Sequence, residues 1–291
     1  MSSRHDWVIW LLFISGLALI WAFAVLPVFN AIWLSLHTAS SFIGTPHWVG
    51  LNNYVSLLTD PELWRATVNG FVYAGLCIVL QVVVGIVFAL VLNTAFPLRW
   101  MVRGLAILPY LLPTVVVALI FQWMTDGSFG VITVMTQKLG FGVIPWLERP
   151  DAAMASVVIV SVWMWSPFVT VCCLAGMQSI PPALYEAARV DGANAWYRFW
   201  HITLPQLRPV LGVVILLRAI WMFNKFDITW LMTKGGPLGA TEHLPILAYR
   251  KAFLLYDVGG GAAVSTLSFV LLTVCVLIYF RISPIEEKGS R

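Results

Sequence analysis

The sequence predicts an all-α membrane protein with six transmembrane helices, and three observations predict it. Of its 291 residues, 60% are hydrophobic and only 10% are charged, which is too little polar surface to clothe a soluble globule. Six apolar runs lie near 8–34, 68–92, 105–124, 152–177, 209–232 and 260–280. Each is long enough to cross a hydrocarbon core about 30 Å thick, a distance that takes about 20 residues of helix. Between the fourth and fifth runs lies a polar, turn-marked insert at 178–208, which from Glu186 to Pro205 reads EAARVDGANAWYRFWHITLP. The whole of 1–291 reads as a single transmembrane domain, and no internal repeat is assigned.

Composition excludes other classes. A net charge of +4 and an isoelectric point near 9.0 would suggest nucleic acid for a soluble protein, but here the basic residues stand singly between apolar runs. Membrane topology explains them better. Cys77, Cys172, Cys173 and Cys275 all fall inside apolar stretches without metal-ligand spacing, so they read as small buried hydrophobes rather than disulfides or a metal site.

The first run follows Arg4 and contains Ala22-Phe23-Ala24, a superficial likeness to a cleaved secretion signal. It continues to Leu34, which is too long for one, so an uncleaved first span is expected. Gly50-Leu51-Asn52-Asn53-Tyr54 in the loop that follows reads as a turn with an asparagine pair. Pro109 and Pro113 are expected to kink the third run where neighbours satisfy the freed carbonyls. Trp163 and Trp165 in the fourth run fit packing or the membrane interface better than ligand binding.

Within the insert, Ser179 suits a cap, Pro182 a first helical turn and Gly192 a left-handed stop. These predict a short helix near Ala183 to Asp191. A second helix, capped by Asn194, carries Trp196, Tyr197, Phe199 and Trp200, and Pro205 is expected to end it.

The fifth run holds Arg218, Lys225 and Asp227. An ionisable side chain at mid-bilayer costs about 2.5–3.5 kcal/mol on insertion scales, so such groups face a cavity or a partner. Arg218 is the deepest of the three. Lys225 and Asp227 are two residues apart, which on a helix turns them to different faces and argues against a direct pair.

Orientation follows from the basic residues. Arg4, Arg99, Arg103, Arg189, Arg198, Arg208, Arg281, Lys288 and Arg291 fall on the side of the insert; Arg65, Lys138, Arg149, Lys234, Arg250 and Lys251 fall opposite, in longer loops that also hold most of the acids. The positive-inside rule therefore favours the insert and both termini in the cytoplasm.

Glu186-Ala187-Ala188, then Asp191-Gly192, then Ile202-Thr203-Leu204-Pro205 resembles the EAA loop of permease subunits in binding-protein-dependent, ATP-driven (ABC) importers. The elements Gly50 to Tyr54, Asp126 to Gly130, Pro145-Trp146-Leu147, Leu174 to Pro181, Asn224 to Asp227, Thr233 to Pro237, and Tyr249, Phe253, Asp257 and Gly259 are similar to sugar-type members, of the maltose and glycerol-phosphate kind. The resemblance covers nearly all the chain after residue 46.

It implies that a cytoplasmic EAA coupling helix docks on a separate ATPase. Small side chains at Ala187 and Ala188 would allow close approach, Glu186 would meet a basic partner, and Asp191, Gly192, Ile202, Leu204 and Pro205 would complete the coupling set. It further implies a second permease subunit, two ATPase subunits carrying ATP and Mg, an extracytoplasmic solute-binding protein, a sugar-type or polyol-type solute, and residence in the cytoplasmic membrane of a prokaryote. No G-x-x-x-x-G-K-[ST] pattern occurs in the chain, so no cofactor is expected on this subunit. Asn224 and Asp227, with Lys225 as an alternative, are candidates to line the solute path; they fit the outer interface or a contact with the partner permease equally well.

Two other classes fit the sequence less well. A membrane-embedded enzyme would need a nucleophile with a base, a metal cluster or paired acids. Instead His5, His37, His47, His201 and His243 are dispersed, and neither H-E-x-x-H nor G-x-S-x-G is present. A stand-alone secondary transporter would use intramembrane charges for ion coupling, and the EAA loop argues against it.

Overall fold

The computed structural model describes residues 6–38 and 44–282, so Arg4, His5, Lys288 and Arg291 lie outside the described residues. Among the described residues, five helices are long and apolar enough to cross a membrane: Trp10–Ser35, Pro61–Asn93, Pro150–Gln178, Ala195–Phe223 and Val258–Ile282. The pair Arg99–Leu111 and Thr114–Met124, bent by 91°, makes a sixth if counted as one broken span. Strand structure among these residues is limited to an antiparallel pairing of His37–Thr38 with His47–Trp48. Helices dominate because hydrocarbon offers no partner for backbone N–H and C=O groups, which a helix satisfies within itself.

Three boundaries correct the sequence reading. The second span begins at Pro61, well before 68, because its start is built by polar chemistry: the Asp60 carboxylate accepts a hydrogen bond from the Glu62 backbone N–H at 2.9 Å, and Glu62 sits in the first turn. The third run is broken into two helices rather than kinked within one, since Leu112 is driven into an extended conformation by the proline after it, and Pro113 starts a new helix direction.

The fifth span starts at Ala195 and ends at Phe223 rather than at 232. Pro205 does not end the preceding helix. A wide π-helical turn, Phe199–Thr203, closed by the Leu204 N–H on the Phe199 carbonyl, precedes it and lets the helix run on past a residue that lacks an N–H. The same device, Trp21–Val25 before Pro27, carries the first span past its proline.

The described chain falls into two compact units. One comprises the described residues before Arg65 together with Leu244–Leu271. Here the asparagine pair has a definite job: the Asn53 amide donates to the carbonyls of Ser35 at 2.8 Å and His37 at 3.0 Å, and the Tyr54 and Ser35 hydroxyls are hydrogen-bonded. Lys251 pairs with Asp60 at 3.2 Å and Arg250 pairs with Glu62. Burial pushes the Asp60 carboxyl up, but the Glu62 N–H and the Lys251 and Arg250 cations outweigh it and hold the group below its ordinary value. The Asp257 carboxylate accepts from the Gly260 N–H at 2.8 Å and so caps the sixth span. A Cβ on Gly259 would lie 2.1 Å from the His37 carbonyl oxygen, so only glycine allows that backbone approach.

The other unit comprises Arg65–His243 and the described residues after Leu271. The second and fourth spans cross at Gly85, where a Cβ would meet Val169 at 2.6 Å; the fourth and fifth cross at Gly176, where it would meet Leu207 at 2.7 Å. Around these crossings pack Ala89, Val169, Cys173, Met177, Leu207, Leu211 and Val214. The first half of the broken third span packs on the fourth span, and its second half packs on a short helix, Asp227–Thr233.

Candidate functional site

Two places in the larger unit carry the residues singled out by sequence. The first is the insert. Its helix, Pro182–Val190, has proline in the first turn as expected, but Ser179 does not cap it: the Ser179 hydroxyl donates to the Gly176 carbonyl at 2.8 Å, and Pro181 occupies the cap position. The helix stops in a Schellman arrangement, in which the Ala193 N–H reaches the Ala188 carbonyl at 2.8 Å and the Gly192 N–H the Arg189 carbonyl at 3.1 Å. That closure needs left-handed backbone at Gly192, and its φ is +77°. Asn194 caps the next helix by accepting from the Tyr197 N–H at 2.8 Å.

One side-chain bond, Tyr185 to Thr203 at 2.9 Å, ties the short helix to the wide turn before Pro205. Outward, Glu186, Ala187, Asp191 and Gly192 are exposed, with Ala188 half-buried. Val190 is 88% and Trp196 70% exposed, an apolar presentation that the chain itself leaves uncovered. Ile202, Leu204 and Pro205 are half-buried, and Leu204 packs on the core around Leu207.

The second place is a polar site between the spans. Arg218 is fully buried, and its Nε donates to Gln81 Oε1 at 2.7 Å while Nη2 reaches the Met222 sulfur at 3.4 Å. Gln81, also fully buried, returns its amide to the Ser161 carbonyl at 3.3 Å, and the Ser161 hydroxyl bonds the Tyr73 hydroxyl at 2.8 Å. The guanidinium carbon lies 5.6 Å from the ring centroids of both Trp165 and Trp221. Such cation–π contacts are worth about 2 kcal/mol or more when desolvated and partly offset the cost of burying the charge.

A cavity of about 450 Å³ opens beside it, lined by Tyr110, Trp165, Arg218, Trp221, Asn224 and Lys225, among others. Asn224 and Lys225 therefore reach the cavity, whereas Asp227 stands behind Lys225. Contrary to the helical argument, Lys225 Nζ and Asp227 Oδ2 are paired at 3.0 Å. The reason is the break: the helix ends at Phe223 and the next begins at Asp227, so facing rules for a continuous helix do not apply. Trp165 lines the cavity, with Lys225 Nζ 4.1 Å from its ring centroid, while Trp163 packs against Phe121. Gln81, Tyr110 and Trp221 were missed. An amide in the middle of the apolar second run is a legible signal for Gln81; nothing in the sequence distinguishes the two aromatics from packing residues.

Below Lys225, His243 is buried with both ring nitrogens facing backbone carbonyls, Nδ1 that of Thr241 at 3.2 Å and Nε2 that of Lys225. Burial holds the imidazole below its ordinary value, although the two carbonyls pull the other way.

Long apolar helices, a polar cavity lined by residues of the third, fourth and fifth spans, and an exposed helix–turn–helix insert before the fifth define a polytopic transport subunit. The chain belongs to the family of binding-protein-dependent transport system inner membrane components, whose model matches residues 81–284. It is a multi-pass inner-membrane transport component, not an enzyme.

It is 37% identical over 273 residues to the trehalose/maltose transport system permease protein MalF of Thermococcus litoralis, covering 94% of this chain and 92% of that one. It is 34% identical over 259 residues to the sulfoquinovosyl glycerol transport system permease protein SmoG of Agrobacterium fabrum, covering 89% and 84%. In fold it is similar to a chain in the crystal structure of a bacterial ABC transporter involved in the import of the acidic polysaccharide alginate, at a TM-score of 0.84, 24% identity and 98% coverage of both chains.

Proposed function

We propose that this chain, acting as one transmembrane domain, is a permease subunit of an ATP-driven importer for a sugar or related polyol-type solute. Its insert, on the cytoplasmic face with both termini, docks on a separate ATPase that holds the ATP and Mg. The observation that carries the reading is the insert itself: a helix closed by its own backbone hydrogen bonds that leaves Glu186, Ala187 and Val190 exposed. The names of the relatives support a saccharide as cargo. Asn224 and Lys225, the latter paired with Asp227, line the route beside Arg218, where aromatic walls and few polar groups suit a sugar.

A second permease subunit completes the pathway, and an extracytoplasmic binding protein delivers the solute. ATP binding closes the ATPase pair and moves the docked helix, and the differential affinity of ATP for the two states supplies the bias.

Reconstitution tests this. Proteoliposomes holding the complete complex should take up solute only with binding protein outside and ATP on the ATPase side. Uptake by this chain alone, driven by an ion gradient, would overturn the reading and favour a secondary transporter.

A further inference from the structure

We infer that the cavity beside Arg218 receives an oxyanion, so that the solute is an acidic saccharide, bearing a carboxylate, sulfonate or phosphate, rather than a neutral sugar. The inference rests on the proposal that Asn224 and Lys225 line the solute path, and it assigns the chemical class that the path selects.

The charge balance of the wall carries it. Arg218 is completely buried and has no carboxylate partner among the described residues. A guanidinium has five N–H donors. Here Nε donates to Gln81 Oε1, and Nη2 reaches only the sulfur of Met222, a weak acceptor. The indole N–H of Trp165, which lines the same cavity, is also buried without a partner.

Lys225 adds a second cation, with Asp227 as its counter-ion at 3.0 Å, so one positive charge remains uncompensated. The acceptors on this wall are few: Asn224 spends its amide N–H on the Ile220 carbonyl at 3.1 Å, which leaves its oxygen for a ligand hydroxyl, and Tyr110 offers a phenolic oxygen.

A neutral sugar would satisfy donors but leave the Arg218 charge desolvated and unpaired. A bound oxyanion satisfies both at once, because it accepts several hydrogen bonds and cancels the charge. The faces of Trp165 and Trp221 flanking the guanidinium suit the apolar faces of a sugar ring.

Cysteine modification measures this field without knowledge of the solute. In the complete complex, with the native cysteines of this chain replaced by alanine, Asn224→Cys is reacted with an anionic and with a cationic methanethiosulfonate reagent, each rate divided by that at an exposed loop position, Ser128→Cys. The normalised ratio should favour the anionic reagent by about tenfold, equivalent to about 1.4 kcal/mol. The preference should fall towards unity in Arg218→Gln and persist in Arg218→Lys; Arg218→Met serves if the glutamine variant does not assemble.

A ratio near one with Arg218 present overturns the inference, as does an undiminished preference in the neutral variants. The path itself is read separately: modification at position 224 should stop binding-protein-stimulated turnover. Unaffected turnover removes the path reading, whereas blocked turnover without an anionic preference removes the oxyanion alone.

Discussion

The polar site between the spans and the insert before the fifth span treat their difficult residues in opposite ways. Around Arg218 the chain supplies contacts but no counter-charge: Gln81, itself bonded to the Ser161 carbonyl, accepts from the guanidinium, and two indole rings flank a charge that is costly in lipid. At the insert the backbone is closed by its own hydrogen bonds, but the side chains are turned outward, with Val190 and Trp196 uncovered. The difference teaches where each region's energy lies. The interior is organised by hydrogen bonds and packing within one chain, whereas the proposed docking would draw the insert's gain from binding, because a preformed helix does not have to be ordered at the moment of docking.

The sharpest break in that contrast would come from Glu186→Ala. Truncating one partner of a buried interfacial charge pair costs about 2–5 kcal/mol, so ATPase assembly or coupled hydrolysis should collapse while the thermal stability of this subunit stays unchanged. Intact assembly and intact coupled hydrolysis would take Glu186 out of the mechanism.

Gly85→Val should do the reverse. Its added Cβ alone falls 2.6 Å from Val169, and overpacking of this kind costs about 1–3 kcal/mol. A lowered melting temperature with the remaining folded protein still coupling normally is expected; an unchanged one would mean the second and fourth spans can separate freely.

The third effect is on pH. The unfolded His243 imidazole takes up a proton near about pH 6.5, while the buried ring resists it. Stability should therefore fall as pH drops below about 6.5, by up to about 1.4 kcal/mol per pH unit, and level off where the folded ring itself titrates. His243→Gln should flatten that part of a melting-temperature profile, and an identical profile would show that other groups set the slope.

The smallest change belongs to the insert's own shape. Asn194→Ala removes the bond to the Tyr197 N–H at a cost of about 1 kcal/mol. Faster hydrogen exchange confined to the residues around Tyr197, with the spans unaffected, is the expected readout; exchange that does not change would show that the wide turn at Phe199–Thr203 holds the helix without its cap.

Much of this was legible in the residues. Gly192 and Asn194 behave as their chemistry dictates, because turn and cap preferences are local and need no knowledge of neighbours. Pro205 and Ser179 did not, since a proline's effect depends on whether the preceding turn widens, and a serine's on which carbonyl lies nearer. The Lys225–Asp227 pair is not legible from spacing, because two-residue separation sets side chains apart only on a continuous helix and this one ends before Asn224.

By itself the sequence determined the membrane class, the six apolar spans and the closed shape of the insert, because hydropathy and turn chemistry act over a few residues at a time. Only the tertiary structure decided that Gln81 meets Arg218, 137 positions along the chain, and that Trp165 and Asn224 border the same cavity. Those contacts depend on how the broken third span and the glycine crossings set the helices against one another, a geometry to which distant residues contribute jointly and which no single stretch encodes.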